Sequence, residues 1–596
     1  MRAIYRLALL SSIVLIVVLA VWYRSEHLNR IAYPDLQTSD QQQAFNEQQA
    51  EDLVMTIELF LSQVKLDLLH WEESLTNNQN EAAWIEEELN NHAHIDGFAS
   101  YELPSETLIY EHGSLPEDSI DKFQRQSTSG DQWLYSEPYT SRGTKKMVVG
   151  LENDDEFFIS EVDLSFVEHY VKELASLSDN NGNFFIGNSG LDLSFSESEA
   201  TVDELSARRK IPELKWDLYL SSELENTTKE EMKKGEVVVV LAEEVEPEKW
   251  AEDHDVFLLD QMGKTVVVRD LTKEADEMMN QWDHDPSVKY MEPNYNFKKQ
   301  TSNKASTSSK PIDLPNDELY DFYQWNLKQM NLEGVWNETQ GSEGVPVAIV
   351  DSGIDPEHRD LQERVVKGYN AFENNESYFD DNGHGTHVAG IFGAVTNNED
   401  GIAGVTWNAP ILAVKVLDDE AIGNSFSIAE GIYWATDNGA KVINLSLGDE
   451  HDSEVMYEAI RYAYDNDVVL IAATGNDNVE TPMYPAAYDE VLAVGSTNQN
   501  RERSFFSNFG DHTDVTAPGE HIPSTFPGGQ YVMMSGTSMS APHVAGIASL
   551  IRSQDEDLTN EDVYEKIRVT ADDIGPAGFD RYHGYGMINA SEAMNW

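Results

Sequence analysis

The C-terminal part of the chain, from Leu314 to Trp596, has the hydrophobic pattern of a parallel sheet covered by helices. Short apolar runs alternate with longer stretches whose apolar residues recur every three or four positions. The apolar runs are VPVAIVD, AKVINLSLG, DVVLIAAT and EVLAVGS, and the helical stretches are SIAEGIYWATDN and SEVMYEAIRYAYDND. Runs without polar alternation are typical of strands buried on both faces. We therefore predict a three-layer α/β unit whose sites lie at the carboxyl ends of parallel strands.

The first 26 residues have the pattern of an export signal. Arg2 and Arg6 precede an apolar run from Leu7 to Tyr23, and Arg24 follows it. The run is long enough either for a cleaved signal peptide or for a single membrane anchor over residues 7–23. We expect the rest of the chain to be extracytoplasmic, either secreted or anchored to the cell membrane.

Residues 27–230 are predicted to form an α+β unit. From Ser39 to Trp71, apolar residues recur on one helical face, and strand-like segments such as KKMVVGLE and EFFISEVDLS follow, then a helical FVEHYVKELASL. A long helix after an export segment, followed by a mixed sheet, resembles the extracytoplasmic Cache-type (PAS-like) sensor domains. A spacer without any ligand is the alternative.

Residues 234–297 are predicted to form a second, smaller α+β unit. GEVVVVLAEE and KTVVVRD have strand patterns, LTKEADEMMNQW is helical with Thr272 as its cap, and PSVKYMEPNYNF supplies a last strand. Residues 298–313, rich in Ser, Thr and Lys, have no apolar periodicity. This composition predicts a solvated linker that is open to proteolysis.

The charge and the cysteine count exclude several classes of function. The chain has 107 acidic and 40 basic residues, a net charge of −67, and no cysteine. So negative a protein repels nucleic acid, and we expect no such partner. Disulfides, thiolate nucleophiles and cysteine–zinc sites are excluded, which leaves packing and hard cations to reinforce the fold.

Four polar residues lie where predicted strands end or helices begin. Asp351 ends VAIVDSGID, His384 opens a helix in DDNGHGTHVAG, Asn476 follows IAATG, and Ser538 lies in SGTSMSAPHVAG. The order Asp, His, Ser is one of the known arrangements of a nucleophile triad. We expect Pro542 in the first turn of the last helix, where its missing N–H is not needed.

Each of these segments also has a structural interpretation. A strand-terminal Asp is often a turn residue, and His384 with His387 could form half of a metal site. Four such segments in this order on this architecture favour catalysis instead. Together they resemble the subtilisin-like serine proteases, closest to the thermitase-like branch.

The resemblance implies a role for each residue. Ser538 would be the nucleophile, His384 its general base, Asp351 the partner of the imidazole, and Asn476 an oxyanion donor, with Ser535 and Ser540 structural. Ser446, Leu447 and Gly448 would pair with an extended peptide; Ala473, Thr474, Gly475 and Met483 would form the pocket. An apolar floor at Met483 favours apolar or aromatic residues before the cleaved bond.

The resemblance also implies calcium. VTNNEDGIAG matches the family's calcium loop, and its ligands would be the Val395 carbonyl, Asn398, Asp400 and the Ile402 carbonyl, completed by Asp317 and Asp360. An acidic surface loop is the alternative. A second calcium site at Asn370, Glu373 and Asn375 stays open, as does a weaker cation site around Ala486, Tyr488, Val491 and Asp514.

The sequence thus predicts an exported serine endopeptidase of protein and peptide substrates that is made as an autoprocessed zymogen. Residues 234–297 resemble the inhibitory propeptide of subtilisin-type proteases and would occupy the cleft until the linker is cut. Two other interpretations are a membrane sensory or binding protein whose N-terminal unit regulates proteolysis, and an inactive protease scaffold. The last is disfavoured because all four catalytic positions are present.

Overall fold

The structure is a computed structural model that describes residues 38–77, 94–170 and 232–299 with gaps, short strands at 182–187, 205–211 and 216–222, and all of 314–596. We name residues 38–222 the N-terminal unit, 232–299 the middle unit and 314–596 the C-terminal unit. The predicted export signal, the cap at Thr272 and most of the linker lie outside the described residues. In the part that is described, no helix is long and apolar enough to cross a membrane.

In its described residues, the N-terminal unit contains one long helix and two antiparallel sheets. Helix α1 spans Thr38–Asn77, and its predicted apolar face, including Leu53, Phe60 and Trp71, is buried. The larger sheet has the order β2-β1-β6-β5-β3, with β4 beside β5, and the smaller has the order β7-β9-β8. The strands are β1 (Ile95–Glu102), β2 (Thr107–Gly113), β3 (Trp133–Tyr135), β4 (Tyr139–Ser141), β5 (Thr144–Glu152), β6 (Glu156–Asp163), β7 (Gly182–Gly187), β8 (Leu205–Ile211) and β9 (Trp216–Ser222). Most of the helix predicted over FVEHYVKELASL lies outside the described residues.

Where the structure describes it, the middle unit contains an antiparallel sheet with the order β11-β12-β10-β13 and two short helices. Its elements are β10 (Met232–Leu241), α2 (Pro247–His254), β11 (Phe257–Met262), β12 (Thr265–Arg269), α3 (Ala275–Trp282) and β13 (Val288–Lys299). Alternate residues of β10 serve the two faces, as strand geometry requires. Val237 and Val239 pack with Trp250 and Trp282 of the helices, whereas Val238 packs into the core of the C-terminal unit.

The C-terminal unit is built on a seven-stranded parallel sheet with the order β15-β16-β14-β18-β20-β21-β22. Its strands are β14 (Val347–Asp351), β15 (Val365–Asn370), β16 (Ile411–Lys415), β17 (Ile422–Asn424), β18 (Val442–Leu445), β19 (Leu447–Gly448), β20 (Val469–Ala473), β21 (Leu492–Thr497), β22 (Val515–Pro518), β23 (Ile522–Phe526) and β24 (Gln530–Met534). Its helices are α4 (Tyr320–Tyr323), α5 (Trp325–Gln329), α6 (Leu332–Val335), α7 (His384–Gly393), α8 (Ser425–Asp437), α9 (Glu454–Asp465), α10 (Thr537–Gln554), α11 (Asn560–Val569) and α12 (Ala590–Asn595).

The three predicted layers of this unit are confirmed. One face of the sheet, with Val347 and Ile349, packs against α7 and α10. The other face, with Ala348 and Val350, packs against α8 and α9. Because both faces are covered, the strand residues are apolar without alternation, and the carboxyl ends of the strands form one edge where polar side chains meet.

Candidate active site

The last residue of β14 and the first residue of α7 form a buried pair. Oδ1 of Asp351 lies 2.7 Å from Nδ1 of His384 and also accepts the Ser352 backbone N–H at 2.7 Å. Both side chains are fully buried. A carboxylate in this position fixes the ring orientation and favours the tautomer that carries its proton on Nδ1, leaving Nε2 as the basic atom.

A second buried carboxylate, which was not predicted from the sequence, organises the loop that leads into α7. Asp380 accepts the backbone N–H groups of Gly383 at 2.8 Å and Thr386 at 2.8 Å and the hydroxyl of Ser352 at 2.9 Å. It therefore joins the turn after β14 to the helix that carries His384. The motif DDNGHG contained the signal, since an acidic residue close before a helix is suited to its exposed N–H groups.

Ser538 lies in the first turn of α10, and two hydrogen bonds join it to Ser446. Its hydroxyl donates to the Ser446 carbonyl at 2.9 Å, and the Ser446 hydroxyl donates to the Ser538 carbonyl at 2.8 Å. Pro542 explains the second bond: it lacks the N–H that would otherwise bond the carbonyl four residues earlier. The prediction that Pro542 lies in the first helical turn is wrong, because α10 begins at Thr537 and places Pro542 inside the helix.

The hydroxyl of Ser538 is directed to Ser446 and not to the imidazole. Among the described residues, Nε2 of His384 has no hydrogen-bond partner, although it is buried. Nε2 of the buried imidazole thus has an unused acceptor site, and the Ser538 hydroxyl donates its hydrogen bond to a backbone carbonyl. Rotation about the Cα–Cβ bond of Ser538 is the movement that redirects the hydroxyl, and catalytic hydrogen bonds commonly tighten only when substrate binds.

Asn476 is held beside Ser538 with one defined orientation. Its Oδ1 accepts both the backbone N–H of Thr537 at 3.1 Å and the Thr537 hydroxyl at 3.0 Å. The amide nitrogen is therefore the group turned away from Thr537. Backbone N–H groups in a first helical turn lack an acceptor within their own helix, so a side-chain amide and helix α10 both present donors on this side of Ser538.

The end of β13 lies between β17 and β19, the strand that follows Ser446. Its residues 296–298 pair antiparallel with β17, and Lys298 and Lys299 pair with Gly448 and Leu447 of β19. A segment of the chain thus forms the middle strand between two short edge strands. The pattern predicts peptide pairing at Leu447 and Gly448 but does not predict β17 (Ile422–Asn424), because three residues are too few for a strand pattern. The last of them, Asn424, is also the cap of α8.

The predicted pocket residues lie around the end of β20. Ala473 ends that strand, and the Gly475 N–H donates to the Thr537 hydroxyl at 3.2 Å. Gly475 has φ +101°, and an added Cβ there would lie 2.3 Å from the Asn508 amide and 3.0 Å from Cγ of Met483. A Cβ added at Gly448 would lie 3.8 Å from Cβ of Met483. Met483 thus lies between Gly448 and Gly475. Thr474 donates its N–H to the Val494 carbonyl and is fully buried.

The predicted calcium residues meet at one place. Asp360 accepts the Ile402 N–H at 2.9 Å and the Asn398 amide at 2.8 Å, and Asp317 accepts the Asn397 N–H at 2.9 Å with both oxygens. Burial and the nearby Asp400 raise the pKa of Asp360 to about 8, and burial raises the pKa of Asp317 to about 6.

This donor set fits a calcium ion, with one exception. Burial makes the charged form of Asp360 unfavourable, and a hard cation would stabilise that charged form. Amide and carbonyl oxygens beside it are the other ligands that such a cation prefers. The exception is the side chain of Asp400, which forms a 2.9 Å ion pair with Arg359. In the described part of the chain, no three His, Cys, Asp or Glu side chains are grouped to hold a metal, so calcium here would depend on amide and carbonyl oxygens, including those predicted at Val395 and Ile402.

The other possible cation sites gain no support from the contacts. Asp514 is engaged by Arg568 and the Ala493 N–H, each at 2.9 Å. The Asn370–Asn375 loop is closed by its own hydrogen bonds, with Asn370 accepting the N–H of Phe372 and of Glu373.

The alternative metal site at His384 and His387 is also not formed. His387 directs Nε2 to the carbonyls of Ile522 and Val532, and burial lowers its pKa to about 3. His384 uses Nδ1 for Asp351, so the two rings face different partners.

Comparisons with known proteins agree on the C-terminal unit. A sequence profile described as the Subtilase family matches residues 342–586. The "Thermophilic serine proteinase" of Bacillus sp. (strain AK1) is 40% identical over 372 residues, which cover 61% of this chain and 88% of that protein. "Thermitase" of Thermoactinomyces vulgaris is 43% identical over 282 residues, 47% of this chain and 99% of that protein.

A solved structure has a similar fold. Fervidolysin from Fervidobacterium pennivorans, described as a keratinolytic enzyme related to subtilisin, matches with a TM-score of 0.56 and 27% identity, covering 63% of this chain and 62% of its own. The 61% of this chain that aligns with the Bacillus proteinase is longer than residues 314–596. That similarity therefore extends upstream into the middle unit.

Proposed function

This chain belongs to the subtilase family and is a subtilisin-type serine endopeptidase, and we propose that Asp351, His384 and Ser538 carry its reaction. The supporting observation is the buried 2.7 Å contact between His384 Nδ1 and Asp351 Oδ1 at the strand edge where Ser538 also lies. That contact leaves Nε2 as the basic atom of the imidazole.

In the proposed reaction, the Ser538 hydroxyl leaves the Ser446 carbonyl and turns toward His384. Nε2 takes the hydroxyl proton as Oγ bonds to the peptide carbonyl carbon, and negative charge moves to the carbonyl oxygen. The Asn476 amide and the Ser538 backbone N–H stabilise this oxyanion. The C–N bond then breaks as the imidazolium returns its proton to the amine, and water releases the acyl group by the same route.

We propose that substrates bind as extended strands in the place that β13 occupies. Pairing with β17 and β19 uses backbone groups, so it accepts many sequences. Met483, between Gly448 and Gly475, would form an apolar floor that favours apolar or aromatic residues before the cleaved bond.

We propose that the middle unit is an inhibitory propeptide. Two observations support this: β13 fills the strand position between the edges of the cleft, and Glu292 of the same strand accepts the Ser453 hydroxyl at 2.5 Å and the Glu454 N–H at 2.9 Å. Those two residues begin α9, so the carboxylate caps a helix of the C-terminal unit. Cleavage within residues 298–313 would free the cleft.

Calcium and export complete the proposal. Asp360, Asp317, Asn398 and the carbonyls of Val395 and Ile402 would hold calcium, which would neutralise the buried carboxylates and fasten the loop. Residues 1–26 would direct export, with secretion and membrane anchoring both open.

A sensory role of residues 27–230 in regulating proteolysis is a second candidate, favoured by the direct packing of α1 on the C-terminal unit.

The test compares the wild-type chain with Ser538→Ala for casein hydrolysis and for conversion to a shorter chain. We expect the variant to lose both and the mature wild-type N-terminus to lie between residues 298 and 314. Ser540→Ala is the matched control, because that hydroxyl donates to the Ala517 carbonyl at 3.0 Å and is not used in the reaction. Ser538→Ala that still cleaves casein would contradict the proposal; cleavage of the linker alone would point to an outside processing enzyme.

A further inference from the structure

Helix α1 of the N-terminal unit covers the free edge of the hairpin formed by β23 and β24. In the described residues this hairpin has no third strand. The outward backbone groups of Met533 are instead bonded by side chains: Thr56 accepts its N–H at 3.0 Å, and the Tyr170 hydroxyl donates to its carbonyl. Thr56, Tyr170 and Met533 are all buried. The N-terminal unit thus satisfies an edge that would otherwise depend on water.

Apolar packing extends this contact. Leu59 of α1 is fully buried in a cluster with Leu319, Ile402 and Tyr531 of the C-terminal unit. At the far side of the same helix surface, the Tyr323 hydroxyl donates to Ser62 at 2.9 Å. The interface therefore combines a buried apolar core with specific polar contacts.

One turn before Thr56, α1 places a carboxylate against the segment that leads to the nucleophile. Oδ1 of Asp52 accepts the Ser535 hydroxyl at 3.1 Å and lies 3.1 Å from Nδ1 of His521. The same Ser535 oxygen accepts the His521 backbone N–H at 2.7 Å. All three residues are buried, with at most 3% of any of them exposed. A carboxylate this deeply buried requires such partners.

Ser535 is three residues before Ser538, and Gly536 lies between them. Glycine imposes little conformational restraint of its own, so the segment depends on contacts at both ends. At the C-terminal end, Thr537 is bonded to Asn476. At the N-terminal end, Asp52 holds Ser535, and the Gly536 N–H donates to the Gly519 carbonyl at 2.6 Å.

From this geometry we propose that α1 is a working part of the enzyme and that Asp52 is a positioning residue for the segment Ser535–Ser538. Asp52 fixes Ser535 and His521, and through them the start of α10, on which Ser538 and the oxyanion donors depend. The inference rests on the proposed role of Ser538 and requires that α1 stays docked after the linker is cut.

The test measures kcat and KM on a short chromogenic peptide for wild type, Asp52→Ala and Asp52→Asn, each normalised to sites titrated with a serine-reactive phosphonate. Small misplacements of catalytic groups have large effects on rate, so we expect kcat per site in Asp52→Ala to fall about tenfold or more with KM within about twofold. Asp52→Asn keeps an acceptor of the same size but not its charge, so its loss should be intermediate, and it remains informative if the alanine variant does not fold.

Ser62→Ala is the control on the same helix. It removes the bond from Tyr323 at a distance from the nucleophile, so the melting temperature should fall slightly while kcat stays within about twofold of wild type. The inference is overturned if kcat per site in both Asp52 variants equals that of wild type, or if Ser62→Ala loses as much. If instead wild type is not labelled, or Ser538→Ala is active, the proposed function itself has failed.

Discussion

Asp351 Oδ1 and His384 Nδ1 are 2.7 Å apart and fully buried, and their contact joins the end of β14 to the start of α7. The two residues are 33 positions apart in the chain, so only the parallel sheet and its crossover bring them together. In this position the carboxylate can both orient the ring and stabilise the charge that the ring gains during reaction.

Asp351→Asn should therefore disable catalysis without unfolding the protein. The amide is nearly the same size but does not stabilise an imidazolium and can bind the wrong tautomer. We expect kcat on a chromogenic peptide to fall by about 10⁴-fold, the effect known for such a carboxylate in serine proteases, with a smaller change in KM. Asn500→Ala, an exposed change away from the cleft, is the control. Activity within tenfold of wild type in Asp351→Asn would contradict the assignment.

Glu292→Ala should open the cleft of the uncleaved chain. The side chain is buried and makes charge-assisted hydrogen bonds to Ser453 and Glu454. Bonds of that kind contribute about 1.5–3 kcal/mol. Their loss should therefore raise the fraction of chains in which β13 has left its place and Ser538 is accessible by at least about tenfold. The measurement is the rate at which a fluorophosphonate labels the full-length band. Glu277→Ala, an exposed change on α3 of the same unit, should label at the wild-type rate, and equal rates in both variants would exclude capping by Glu292.

Removal of calcium should lower the thermal stability of the C-terminal unit. An ion at about one hundred times its dissociation constant stabilises the folded state by about 2.7 kcal/mol, equivalent to about 5–10 °C in a domain of this size. The measurement is a melting curve of the Ser538→Ala chain with calcium and with EDTA. In Asp360→Asn the difference between the two curves should disappear. If the melting curve of the Ser538→Ala chain with an intact Asp360 does not respond to EDTA, the calcium proposal is wrong.

Acid should destabilise the protein through two buried histidines. Burial lowers the pKa of His387 and of His543 to about 3, whereas in the unfolded chain histidine titrates near 6.5. Between about pH 3 and pH 6.5 these two side chains bind more protons in the unfolded state, so their contribution to the free energy of unfolding falls as the pH falls. The raised pKa values of Asp360 and Asp317 act in the opposite direction over part of this range. For each unit by which the pH falls in this range, each histidine lowers the free energy of unfolding by about 1.4 kcal/mol.

Denaturant unfolding of the Ser538→Ala chain at a series of pH values measures this slope. His543→Gln should reduce the slope by about 1.4 kcal/mol per pH unit, the equivalent of one proton. Asn500→Ala, an exposed change at a residue that does not titrate, should leave the slope unchanged. Because Asp360 and Asp317 offset part of the total slope, the decisive comparison is between variants. An equal slope with and without His543→Gln would contradict the role of His543 in acid stability.

The sequence predicted most strongly what depends on local pattern. Strands buried on both faces, the apolar face of α1 and the motifs around Asp351, His384 and Ser538 can be recognised within about ten residues each. What it missed depends on distant contacts. The helix α2 is too charged to show an apolar face, although Trp250 packs against the sheet of the middle unit. The strand β17 is defined only by its pairing with residues 296–298.

Two further features could not be read from the sequence because they connect separate units. The carboxylate of Asp52 reaches Ser535 across 483 positions of chain, and no local pattern marks it. Pro542 was misplaced because a helix start is set by hydrogen bonds, and α10 begins at Thr537, before the proline. Local signals mark the residues that we propose to react, and tertiary packing determines what holds them.

The most direct test of the account is the stoichiometry and position of covalent labelling of the mature enzyme by a fluorophosphonate. Peptide mapping should find one phosphonyl group on Ser538, and activity should fall in proportion to labelling, while His384→Ala should label far more slowly. An adduct on another serine, or full activity after complete labelling of Ser538, would contradict the claim that Asp351, His384 and Ser538 act as one catalytic group.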